Sequence, residues 1–186
     1  MKKIPVGLQM YTLREICAKD FVGTLEKVAD IGYAGVELAG LYSLSPGEVK
    51  EVLDDLNLKL AGNHVPGERD LDKLIRINNE MGCTAAWGPC MPEGKLPTDE
   101  AGCIAMAEYA DRVGAKMKRN GIQLYYHNHS QEFQKINDRY IMDWLLEETD
   151  PDNVAAEIDV MWVQHAGVDP AAYILSLIHI SEPTRL

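Results

Sequence analysis

A short apolar segment ending in polar residues, then a helix of about three turns, then Gly or Asn before the next apolar segment: this unit recurs along the chain and restricts it to folds built from β-α-β crossovers. Strand character is read over 6–10, 35–38, 59–63, 85–87, 122–126 and 155–158. Helices are expected over 21–31, 46–56, 70–81, 100–119 and 139–148. The first carries Val22, Leu25, Val28, Ala29 and Ile31 on a 3.6-residue stripe and stops at Gly32, a residue suited to a left-handed cap. The second opens with Ser45 as N-cap, Pro46 at the first helical position and Glu48 closing a capping box.

Two architectures satisfy such alternation, an open doubly wound sheet and a closed barrel. The open sheet would place a glycine-rich phosphate turn after its first strand. Here that strand runs into Tyr11-Thr12-Leu13-Arg14, with no glycine. The expected fold is therefore α/β, a (β/α)₈ barrel. With 186 residues, and a full barrel needing at least about 200, it is read as truncated after about six units.

Charge narrows the partners. Eighteen basic and 29 acidic residues give a net charge of −11, which repels phosphate backbones and anionic lipid, so neither nucleic acid nor membrane is expected. The four cysteines form no C-x-x-C pair, and the N-terminal apolar stretch is too short and too polar for a signal or a span. A reduced, cytoplasmic location is the expectation.

In such a barrel the chemistry sits at the C-terminal ends of the strands. The strands deliver there Gln9 and Tyr11 (first), Glu37 (second), Asn63 and His64 (third), His127, Asn128, His129 and Glu132 (fifth), and Glu157, Asp159 and Trp162 (sixth). Strand alternation puts Tyr125, His127 and His129 on one side, and Glu157 with Asp159 on one side. Imidazole and carboxylate at neighbouring strand ends suit a divalent ion, Mn²⁺, Zn²⁺, Fe²⁺ or Mg²⁺, that polarises a carbonyl or paired hydroxyls of a sugar. Blander roles stand beside these: His64 bonding a neighbouring loop, Glu157 orienting a neighbour, Tyr125 and Tyr126 packing. Several polar groups at adjacent strand ends are nevertheless costly to explain by packing alone.

Four stretches occur in a telling order: Gly7-Leu8-Gln9-Met10-Tyr11-Thr12-Leu13-Arg14, Gly32-Tyr33-Ala34-Gly35-Val36-Glu37, Tyr126-His127-Asn128-His129 with Glu132-Phe133, and Glu157-Ile158-Asp159-Val160-Met161-Trp162-Val163 with Ala166-Gly167-Val168-Asp169-Pro170. Together, over residues 1 to about 175, they resemble the sugar phosphate isomerase/epimerase family with its xylose-isomerase-like barrel. The resemblance implies a metal held by strands five to eight and carboxylates that move a proton between adjacent sugar carbons. It makes His127 and Asp159 metal ligands, Glu132 and His64 catalytic, and Gln9, Tyr11, Glu37, His64, Asn128, His129 and Trp162 substrate-binding. His127 falls where many members have a glutamate, a departure from the two-glutamate mechanism.

The family's strand-seven histidine and strand-eight glutamate have no counterpart here. Residues 176–186 resemble a peptide read through from sequencing-adapter DNA and are read as a non-native tail. Open strand edges then predict self-association. The leading expectation is a metal-dependent isomerase or epimerase acting on a sugar or sugar phosphate, inactive in this form. The alternatives are a non-catalytic sugar-binding or assembly module and an endonuclease-like barrel.

Overall fold

The computed structural model describes residues 4–64, 70–92 and 94–177. The tail read over 176–186 lies, from residue 178 on, outside the described residues. The chain divides into two compact units, residues 1–87 with 120–122, and residues 88–119 with 123–186.

In the first unit, strands β1 (Gly7–Gln9), β2 (Gly35–Leu38), β3 (Lys59–Asn63) and β4 (Ala85–Trp87) lie side by side in chain order, each pair parallel. A 3-10 turn, Met10–Leu13, and a short helix, α1 (Arg14–Cys17), follow β1. This pair was not foreseen, because four-residue helices carry too few turns for a periodic signal. The longer helices are α2 (Phe21–Ile31), α3 (Pro46–Asp55) and α4 (Leu71–Met81). Their ends follow local chemistry. Asp20 and Asp70 accept first-turn N–H groups, the Ser45–Glu48 capping box is complete, and Gly32 and Gly82 close α2 and α4 at φ 98° and 69°. Asp70 proves to be the N-cap of α4 and not its first helical residue. Met10, Leu25, Val28, Val36, Leu38 and Val49 form the middle of this unit's core.

The second unit is built on α5 (Glu100–Lys118) and two parallel strands, β5 (Gln123–His127) and β8 (Val154–Glu157). Between them run a 3-10 turn (Gln131–Phe133), an antiparallel hairpin of β6 (Lys135–Ile136) and β7 (Arg139–Tyr140), and α6 (Ile141–Glu147). The helix expected from 139 starts two residues later. Asn137 and Asp138 take φ 52° and 63°, the two-residue pattern that suits a tight hairpin, and Arg139–Tyr140 pair back as a strand. Helices α7 (Val160–His165) and α8 (Pro170–Ser176) follow β8. Cys103, Met106, Leu124, Met142, Leu145 and Val163 are fully buried between these elements.

Candidate functional site

In the second unit, β5 and β8 pair in register from Leu124↔Val154 to His127↔Glu157. Residues opposite one another on parallel strands point to the same face, so the register brings the His127 imidazole to the Glu157 carboxylate. His127 Nδ1 lies 3.6 Å from Glu157 Oε2, and His127 Nε2 lies 3.5 Å from Asp159 Oδ2. The imidazole thus stands between two carboxylates, with 14% of its side chain exposed against 35% for Glu157 and 26% for Asp159.

Asp159 is divided in its duties. It is the N-cap of α7, where Oδ1 accepts from the N–H groups of Met161 (2.9 Å) and Trp162 (3.2 Å). Its other oxygen, Oδ2, is the one that faces His127. From His127 a row of rings leads outward: His129 at 5.4 Å, then Trp162 at 5.3 Å from His129, then His165 at 5.5 Å from Trp162. The partly exposed Trp162 indole between these imidazoles presents a flat apolar face.

Glu132 and Asn128 stand behind this row. Glu132 is 2% exposed; its Oε1 accepts from the Tyr126 hydroxyl (2.9 Å) and from Gln131 Nε2 (3.3 Å), while Oε2 accepts from the His129 N–H (2.7 Å). Asn128, fully buried, is bonded to the backbone of Asp159.

The first unit holds its own pair. Glu37 ends one register step short of the end of β2, and its Oε1 lies 3.7 Å from Nδ1 of His64, the residue after β3. The His64 ring stacks on Trp87, centroids 4.9 Å apart and planes within 4°. Trp87 was missed in the sequence, where it read as the last apolar residue of a strand; its aromatic type at a strand's C-terminal end was the available signal. Gln9 Oε1 accepts from the Tyr11 N–H at 2.9 Å, and Arg14 lies over the exposed Tyr11 ring at 4.6 Å. A cavity of about 280 Å³ lies at the opposite end of β3, lined by Leu53, Asn57, Leu58, Leu60, Met81 and Gly82. Barrel enzymes do their chemistry at the other end of the strands, and no acid–base group of the sequence reading lines this cavity.

No protein-family model matches the chain, and no curated protein matches it. Solved structures do. Two structures of a sugar phosphate isomerase/epimerase from Parabacteroides distasonis, each 24% identical, superpose with TM-scores of 0.79 and 0.81; they cover 95% and 94% of this chain and 75% and 76% of their own. A family 2 AP endonuclease from Brucella melitensis is 15% identical with a TM-score of 0.69, covering 94% of this chain and 76% of its own. A xylose isomerase-like TIM barrel protein from Mycobacterium smegmatis, solved in complex with magnesium, is 18% identical with a TM-score of 0.57, over 82% and 63%. These likenesses define the fold as an α/β barrel, of which the chain holds about six strand–helix units. Within that class its structural neighbours include sugar isomerases and epimerases and endonuclease-like barrels. Among the described residues, no helix is long and apolar enough to cross a membrane.

Proposed function

We propose that the chain carries the metal-binding half-site of a sugar or sugar-phosphate isomerase or epimerase. The observation that carries this reading is the His127 imidazole held between Glu157 and Asp159. The donor set fits a divalent ion: a spacing of 3.5 Å is what two donors about 2.1 Å from one ion have at a near-tetrahedral angle. His127 Nε2 and Asp159 Oδ2 would hold the ion. Glu157, opposite Nδ1, plays the part of the carboxylate that orients a ligating histidine and raises its basicity. When bound, the ion supplies Lewis-acid stabilisation of the negative charge that develops on the sugar oxygens as a carbon-bound proton leaves.

The chain's own groups do the rest. His129 and Trp162 form the wall against which a sugar lies. His64 is the imidazole assigned to proton movement, with Glu37 opposite Nδ1 so that the proton passes at Nε2. Gln9, Tyr11 and Glu37 are assigned to substrate binding. Glu132, the nearest substitute for the base that the resemblance implies, has both oxygens engaged within its own loop, which supports a role in bracing the His127–His129 turn. The location assigned is the cytoplasm.

The test is a Mn²⁺ titration of the purified chain beside His127→Ala and Asp159→Ala, followed by solvent-deuterium wash-in with candidate ketoses and their phosphates. Binding lost in both variants upholds the site; equal binding in all three proteins removes it. A second reading, metal-dependent phosphodiester cleavage, is favoured by the Brucella melitensis neighbour and opposed by the −11 charge, which repels a nucleic-acid backbone.

A further inference from the structure

The ladder between β5 and β8 ends at His127↔Glu157, yet one more cross-link follows it. Asn128 Oδ1 accepts from the Asp159 N–H at 2.9 Å, and Asn128 Nδ2 donates to the Asp159 carbonyl at 3.3 Å. The same Nδ2 has the His129 carbonyl at 3.5 Å. One planar amide thus serves both backbone polar groups of Asp159, as a further rung of strand would. Asn128 is 0% exposed and its bonds to the partly buried Asp159 backbone are costly to leave unmade.

Asp159 is therefore held at three points. Its N–H and carbonyl are fixed by Asn128, and its Oδ1 is fixed by the first turn of α7. What remains is Oδ2, set 3.5 Å from His127 Nε2. Asn128 is also the immediate neighbour of His127 in the chain, so it ties the backbone beside one member of the pair to the backbone of the other. A sugar contact, the role its sequence position suggests, would require a fully buried amide to break bonds it already makes within the protein.

We propose that Asn128 is a positioning residue that sets the separation of His127 and Asp159. Its consequence for ion binding rests on the function proposed above; the clasp itself does not. Groups that orient metal ligands typically change affinity by about 10- to 100-fold when altered, with little effect on the fold.

The experiment compares the full chain with Asn128→Asp, which keeps the acceptor and replaces the donor, and with Asn128→Leu, which removes both. Co²⁺ is the probe, because its visible absorption reports the donors around it. Binding weakened by about tenfold or more, with an altered band and a near wild-type unfolding midpoint in Asn128→Asp, is the expected result. Wild-type affinity and band shape in a folded variant overturn the proposal. A wild-type chain that binds no Co²⁺ defeats the metal reading instead, and hydrogen exchange then decides the clasp. Faster exchange at the Asp159 amide in the variants, with the Leu124–His127 amides unchanged, upholds it; unchanged exchange overturns it. If neither variant folds, the wild-type Asp159 amide decides in the same way: protection equal to that of the β5–β8 ladder supports the clasp, and free exchange ends it.

Discussion

Tyr126 donates its hydroxyl to Glu132 Oε1, six positions further along the chain, at 2.9 Å, with 3% of the tyrosine exposed. Burial first, and the Glu132 carboxyl second, push the Tyr126 hydroxyl well above its ordinary range, so it stays protonated and remains a donor. The bond closes the turn that carries His127, Asn128 and His129. Tyr126→Phe removes the donor and leaves a buried carboxyl oxygen short of a partner. The expected cost is about 2 kcal/mol, read as a lower urea midpoint, together with weaker ion binding at His127. An unchanged midpoint would show that the loop finds its shape without this bond.

Gly114 lies in α5 where a Cβ would run into the Asn153 carbonyl, just before β8. That segment has little room to retreat, since Asp111 Oδ1 accepts from the Asp150 N–H at 2.8 Å and from Asn153 Nδ2 at 3.1 Å. Alanine is the better helix former by about 1 kcal/mol, yet Gly114→Ala should destabilise by about 1–3 kcal/mol because the overlap is with backbone. Chemical denaturation measures the difference, and a more stable variant would contradict the contact.

Asp143 accepts from the Tyr173 hydroxyl at 2.9 Å, linking α6 to α8. Burial raises its carboxyl above the usual carboxylate range, with the Tyr173 bond pulling the other way. A carboxyl raised in the folded state favours folding most below its unfolded value, about 3.9, and that contribution is lost as pH rises through the folded value. Asp143→Asn keeps an acceptor for Tyr173 and cannot titrate. Its stability relative to the parent should therefore improve between about pH 3.5 and pH 7, as followed by urea midpoints at each end. A constant difference across that span would refute the raised value.

All four cysteines are buried thiols. Burial pushes Cys83 up to about 11 and Cys90 to about 12, far from the thiolate range at neutral pH. Ellman's reagent should leave the native chain unmodified over minutes and titrate four thiols in denaturant. Rapid native modification at Cys90 would show that the wall around it opens.

What the amino-acid order determined by itself is local. Strands 35–38, 59–63 and 85–87 and helix 21–31 stand where the alternation placed them, because caps and periodic stripes act within four or five residues of chain. The strand ends that bear polar residues were legible for the same reason. The hairpin of β6 and β7 was not, since Asn137-Asp138 reads as a turn without saying that both flanks pair. Only the tertiary structure decided which polar tips meet. Asn128 and Asp159 are 31 residues apart, and their bond depends on the register of β5 against β8; a shift of one residue would turn Glu157 away from His127. Asn128, a candidate sugar contact in the sequence, is buried and bonded to the Asp159 backbone, and no residue type announces which neighbour its amide will find.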